Sequence, residues 1–243
     1  NFIEETIKRT DYYRRLKKKH GDNQAAINKE LNTPREMMVF TWENPEREKK
    51  MTMSPLDSLR YYKRFLHGGM MTMDPFSGEI KAWVGGINFK YFKYDHVKQA
   101  RRQPGSTFKP FVYVAAIDNG YSPCDKIVDT RVTINYVEKG EKKSWSPTNA
   151  DWVYTGAPMT LRRAMGKSVN SVTAQLTELV GWETVVDYAH KLGISSPLDK
   201  VPSIGLGPSD VSIYDMVGAY STFPNHGFHT APRFITRIED REG

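Results

Sequence analysis

The chain has 243 residues, 39% apolar and 26% charged, a mix that fits a globular protein and excludes a disordered or collagen-like one. Its single cysteine, Cys124, rules out an internal disulfide framework and a cysteine-based zinc site. No apolar run reaches the roughly 18 residues of a transmembrane helix. The net charge of +7 suits polyanionic partners in general, yet no nucleic-acid reader motif accompanies it, so no nucleic-acid partner is expected.

In chain order, the basic excess comes first. Residues 8–19 carry seven Lys/Arg and one Asp and read as a solvated helix face. Residues 22–31 read as a short helix stopped by Pro34, and 38–42 as a strand. Ser54-Pro55-Leu56-Asp57 then supplies a capping hydroxyl, a proline at the first helical position and a nearby carboxylate. The stripe Leu56, Leu59, Tyr62, Phe65, Leu66 predicts that this helix runs to Gly68-Gly69. Met70–Met73 and residues 79–84 read as a hairpin around the turn residues Asp74-Pro75-Phe76-Ser77-Gly78. The change of character near Gly68 divides the chain into residues 1–67 and 68–243. Helices are predicted over 106–117, closing at Asn119-Gly120, then 160–180 with a break at 167–170, 182–192, and 209–223 up to Pro224. Residues 234–238 read as a returning strand. A hairpin followed by many helices predicts an α/β fold with segregated layers.

The common cofactor motifs are missing: no P-loop, no dinucleotide fingerprint, no H-E-x-x-H. Gly205-Leu206-Gly207 precedes a proline and fits a turn; His226 and His229 flank Gly227 in a loop and are not read as a metal site. The chemistry concentrates instead at Pro104-Gly105-Ser106-Thr107-Phe108-Lys109-Pro110, where S-x-x-K opens an apolar helix. Residues three apart share a helix face, so Lys109 can bring an amine to the Ser106 hydroxyl. Serine needs such a base to act as a nucleophile, and a lysine serves once burial or a neighbouring cation lowers its pKa. A helix N-terminus also presents free N–H groups to a developing oxyanion. Further along, Lys167-Ser168-Val169-Asn170 places a hydroxyl and an amide in a break between helices.

S-x-x-K followed by S-x-N points to the penicillin-recognising serine enzymes. The segment Arg102-Gln103-Pro104-Gly105-Ser106-Thr107-Phe108-Lys109-Pro110 resembles the nucleophile segment of class A, bifunctional penicillin-binding proteins. Trp145-Ser146-Pro147-Thr148-Asn149, Ser168-Val169-Asn170-Ser171-Val172, Ile204-Gly205-Leu206-Gly207 and Met216-Val217-Gly218-Ala219-Tyr220 are similar to later segments of that family. Met73-Asp74-Pro75-Phe76-Ser77-Gly78-Glu79-Ile80 with Val84-Gly85-Gly86 resembles its opening hairpin.

The resemblance implies an α/β serine β-lactamase/DD-peptidase-like transpeptidase fold, an antiparallel sheet with helices and a helical subdomain, incomplete at its C-terminus. It implies a charged linker over 1–67 that follows a glycosyltransferase half, and the front of the transpeptidase domain over 68–243. Ser106 is the implied nucleophile, Lys109 its base, Ser168 a proton carrier and Asn170 a substrate-binding residue. The implied partners are D-Ala-D-Ala stem peptides of peptidoglycan and β-lactams, with cell-wall synthesis proteins besides. No cofactor and no metal are implied. The implied place is the outer side of the cell membrane, held by an N-terminal anchor outside this sequence. One departure stands out: no K-T-G or K-S-G follows Asn170, the sole T-G being Thr155-Gly156 upstream. The sequence therefore reads as an internal fragment, weak or inactive alone. A non-catalytic scaffold and a serine β-lactamase or DD-carboxypeptidase are the alternatives; the long linker and Trp145–Asn149 argue against the latter, and a downstream K-T-G on a strand settles the class.

Overall fold

The structure is a computed structural model that describes residues 2–241. The chain folds into two compact units: residues 1–68 with 87–93, and residues 69–86 with 94–243.

The first unit begins with α1 (Phe2–Lys8), α2 (Asp11–His20) and α3 (Gln24–Asn32). Thr10 and Asn23 cap α2 and α3 by accepting from Tyr13 N and Ala26 N. The basic stretch lies on α2, where Tyr13 and Leu16 turn inward and the lysines and arginines stay at the surface. Ile7, Tyr13, Leu16, Ile27 and Leu31 form the core of these helices. An antiparallel hairpin follows, β1 (Arg35–Phe40) with β2 (Glu48–Met53), then α4 (Pro55–Tyr62). Ser54 caps α4 as the sequence predicts, accepting from Asp57 N at 3.1 Å. The helix stops at Tyr62, short of Gly68. Phe65 leaves the helical path for an aromatic cluster, its ring 5.2 Å from Phe40 and 5.8 Å from Phe92, while Leu66 is exposed.

The second unit opens with the predicted hairpin, β3 (Met70–Met73) paired antiparallel to β4 (Ile80–Val84). Next come β5 (Arg101–Arg102), a 3-10 turn over Gly105–Phe108, and α5 (Lys109–Asp118). Then follow β6 (Lys126–Val128), the hairpin β7 (Ile134–Glu138) and β8 (Glu141–Trp145), and β9 (Pro158–Thr160). The closing elements are α6 (Leu161–Gly166), α7 (Asn170–Val180), α8 (Trp182–Lys191), β10 (Val211–Ser212) and α9 (Ile213–Tyr220). Helices and antiparallel strand pairs together make the expected α/β architecture.

α5 is the centre of this unit. Phe111, Val112, Ala115 and Ala116 on α5 are fully buried, against Leu161 and Ala164 of α6, Val172 and Leu176 of α7, and Val185 and Ala189 of α8. A helix apolar on nearly all sides belongs in a core.

Two expectations are corrected here. The last helix starts at Ile213, not near Ser209, because Ser212 supplies the cap to Asp215 N while Ser209 is engaged with Asp199. Residues 234–238 form no strand. Arg233 makes a single bridge to Glu79, exchanging bonds with Ile80 N and Gly78 O, and the chain then diverges with Phe234, Ile235 and Ile238 exposed. An apolar run without a continuing ladder of backbone partners does not become a strand.

Candidate active site

Ser106 and Lys109 straddle the entry to α5. Ser106 sits in the tight 3-10 turn, its side chain exposed, and Lys109 is the first residue of the α-helix proper, only 1% exposed. Gly105 adopts φ +59° to make that turn. Gly207, at φ +68°, backs it so closely that a Cβ there would lie 2.4 Å from the Gly105 carbonyl oxygen. The Gly-Leu-Gly segment thus supports the Ser106 turn. Tyr220 of α9 donates from its hydroxyl to the Thr107 carbonyl at 2.5 Å, a second brace on the same turn.

The break between α6 and α7 delivers the other residues. Ser168 occupies the left-handed region at φ +56°, a conformation that costs a non-glycine residue about 1–2 kcal/mol and reverses the chain within one residue. The reversal aims both Ser168 and Asn170 at the buried amine. Lys109 Nζ donates to Ser168 Oγ at 2.9 Å, to the Ser168 carbonyl at 2.5 Å and to Asn170 Oδ1 at 2.7 Å. No carboxylate is among these partners, and burial alone pushes the Lys109 amine down from 10.5 to about 8. Roughly a tenth of it is then neutral at pH 7. The structure therefore brings together Lys109, Ser168 and Asn170. Ser106 lies at the same helix entry, and the amine's bonds among the described residues go to Ser168 and Asn170, none to Ser106.

Asp129 escapes sequence reading altogether. It is buried behind the site and accepts from Ser171 Oγ at 2.6 Å, Asn149 Nδ2 at 2.9 Å, and Thr155 N and Oγ1 at 2.9 and 3.0 Å. Burial pushes its carboxyl up, and the donations from Ser171, Thr155 and Asn149 outweigh it, holding the carboxyl below its ordinary value. Its partners lie 20 to 42 residues away in sequence, so no local pattern announces it. Asn149 is flagged in the sequence only as part of a resembling segment.

The family model described as the penicillin binding protein transpeptidase domain matches residues 68–243, and the penicillin-binding protein middle domain matches residues 1–66. Penicillin-binding protein 1A of Pseudomonas aeruginosa is 37% identical over 177 residues, which cover 72% of this chain and 21% of that protein. Penicillin-binding protein 2D of Bacillus subtilis is 34% identical over 175 residues, 72% of this chain and 25% of that one. The crystal structure of penicillin-binding protein 1A from Haemophilus influenzae superposes with a TM-score of 0.66 at 28% identity, covering 73% of this chain and 26% of that one. PonA1 of Mycobacterium tuberculosis shares the fold at a TM-score of 0.57 and 21% identity, over 96% of this chain and 58% of that one. The chain thus spans about a fifth to a quarter of the length of the curated relatives it matches. No helix among the described residues is long and apolar enough to cross a membrane.

Proposed function

Since the chain belongs to the penicillin-binding protein transpeptidase family, we propose that it forms the acylating part of a serine-type peptidoglycan DD-transpeptidase. In this reading residues 68–243 are the front of the transpeptidase domain. Residues 1–67 are the segment that follows a glycosyltransferase half in a bifunctional wall synthase, anchored so that the site works on the outer side of the cell membrane.

Ser106 Oγ attacks the penultimate D-alanine carbonyl of a stem peptide, and its proton passes to neutral Lys109. The proton then reaches the leaving amine by way of Ser168, the C–N bond breaks, and D-alanine departs. Asn170 holds a substrate amide while its oxygen steadies Lys109. The amine of a second stem peptide attacks the acyl-serine, forms the crosslink and restores Ser106. A β-lactam carbonyl takes the place of the peptide carbonyl and leaves the serine acylated.

The observation that carries this reading is the buried Lys109 amine, with Ser168 Oγ at 2.9 Å and Asn170 Oδ1 at 2.7 Å. A base needs a pKa near the working pH, and desolvation brings this one to about 8. The test is labelling of the full-length protein with a fluorescent penicillin, followed by mass spectrometry. The adduct is expected on Ser106, and Ser106→Ala abolishes it; an adduct on another residue overturns the assignment.

A further inference from the structure

α7 lacks a cap of its own. Its N-cap residue, Val169, has no side-chain oxygen to offer, and the first N–H groups of a helix have no partner within it. Asn149, from a loop 21 residues upstream, fills the gap: its Oδ1 accepts from Asn170 N and from Ser171 N, both at 3.0 Å. An amide can turn either way, however, and the opposite orientation would press NH₂ hydrogens against those N–H groups.

Asp129 removes the choice. An ionised carboxylate only accepts, so Asn149 must direct its NH₂ toward Asp129 Oδ1, at 2.9 Å, and its oxygen toward α7. Ser171 Oγ ties the same carboxylate oxygen to the helix, and Thr155 occupies the other. The neighbouring residue repeats the device. The Thr148 carbonyl accepts from Asn170 Nδ2 at 2.7 Å, which turns Asn170 Oδ1 to Lys109 Nζ.

We propose that Asp129 and Asn149 form a positioning pair for acylation, fixing the first turn of α7 and with it the place of Asn170, whose Oδ1 accepts from the Lys109 amine. The proposal rests on the reading of Ser106 and Lys109 as nucleophile and base. Both residues of the pair are buried and act through α7. The carboxylate must be charged to do so, and its four donors keep it ionised in the neutral range.

Asp and Asn have the same shape, so exchanging them alters hydrogen-bond polarity and charge but not packing. The experiment measures the limiting acylation rate constant and the pre-covalent Kd for a fluorescent penicillin on the full-length protein. Asp129→Asn is expected to slow acylation by about tenfold or more, since it leaves buried polar groups unmatched at the start of α7, with Kd changed less than about twofold. The double variant Asp129→Asn/Asn149→Asp restores the polarity in reverse. The new carboxylate at 149 accepts from the two α7 N–H groups and from the new amide at 129, whose oxygen keeps the Thr155 donors. It recovers most of the rate, the shortfall coming from the Val153 carbonyl, which loses its donor from Asn149 Nδ2, and from the Ser171 hydroxyl, which loses its acceptor at residue 129.

A native rate in Asp129→Asn, or a double variant no faster than the single one, overturns the proposal. Should Asp129→Asn not fold, Asn149→Leu removes the same amide at similar volume; a slowed rate with unchanged Kd supports the pair, and a native rate overturns it. Ser106→Ala runs alongside. If that variant still acquires the label, the reading of the site fails; if it is silent while Asp129→Asn is native, the positioning pair alone fails.

Discussion

The two units manage polarity in opposite ways. In the unit of residues 1–68 and 87–93, charge stays outside: Arg14–Asp11, Lys17–Asp22 and Lys49–Glu43 are surface pairs, while Phe40 is sealed among aromatic rings. Ser54 and Thr41 are its buried polar residues among those described. In the unit of residues 69–86 and 94–243, Lys109, Asp129, Asn149, Ser171 and Asp215 are all buried. Burying a charge is costly unless partners satisfy it, and here every one of these side chains has partners. The first unit is built for stability by apolar contact. The second buries an amine, Lys109, where desolvation lowers its pKa to about 8.

The largest effect expected from this contrast is chemical. Lys109→Arg keeps the charge and much of the length, but a guanidinium stays protonated. Acylation should fall by about a thousandfold, within the ~10²–10⁴ range usual for losing acid–base help. Penicillin labelling kinetics check it; a rate within about tenfold of native would make Lys109 a structural residue and erase the distinction between the units.

Next in size is Phe40→Ala. Phe40 is fully buried, with Trp42, Phe65 and Phe92 rings 4.9, 5.2 and 5.3 Å away, mostly edge-on. Losing such a side chain costs about 3–5 kcal/mol, visible as a lower denaturant midpoint for the first unit. A loss below about 1 kcal/mol would show that the aromatic cluster is not what holds it.

How far the sequence foretold these features follows from distance along the chain. The α4 cap is written in four consecutive residues and was readable, as was the start of a buried helix at Ser106–Lys109. Where α4 ends was not, because Phe65 answers to Phe40, a residue of β1. The convergence of Lys109 with Ser168 and Asn170 spans 59 to 61 residues and entered only through family resemblance. Asp129 had neither a local pattern nor a motif. The hairpin of β7 and β8 was also unread: its turn is Lys139-Gly140, at φ +53° and +85°, and β8, Glu-Lys-Lys-Ser-Trp, is charged and carries no apolar alternation. The run at 234–238 shows the converse error, apolar residues with no partner strand to make them regular.

A third prediction concerns pH. The unfolded chain binds the Lys109 proton up to about 10.5, whereas the folded protein releases it at about 8. Between those values the unfolded state carries more protons, so this group adds stability as pH rises through the window and withdraws it as pH falls. Lys109→Met has no such term. The stability difference, native minus variant, should therefore grow from pH 8 to 10.5 by on the order of 3 kcal/mol. Denaturant titrations at several pH values measure it, and a flat difference would mean that Lys109 sits in a wetter place than its burial implies. Acylation should climb with pH along the same ionisation, its midpoint near 8.

The smallest effect tests the first unit at its most local feature. Ser54 is buried, accepts from Asp57 N at 3.1 Å and donates to Asp57 Oδ2 at 2.7 Å, so cap and carboxylate hold each other. The Ser54 hydroxyl and the Arg60 guanidinium keep the Asp57 carboxyl below its usual range. Ser54→Ala removes the acceptor for the helix and one donor for the carboxylate, which costs about 1 kcal/mol at a typical cap. In amide hydrogen exchange that is about a fivefold loss of protection, confined to the first turns of α4 if local opening dominates. Ser54→Asp should recover most of it, since an aspartate caps as well as a serine and also suits the positive end of the helix. Recovery by aspartate would place the worth of Ser54 in the cap; none would place it in the hydroxyl's bond to Asp57, where a second carboxylate repels the first.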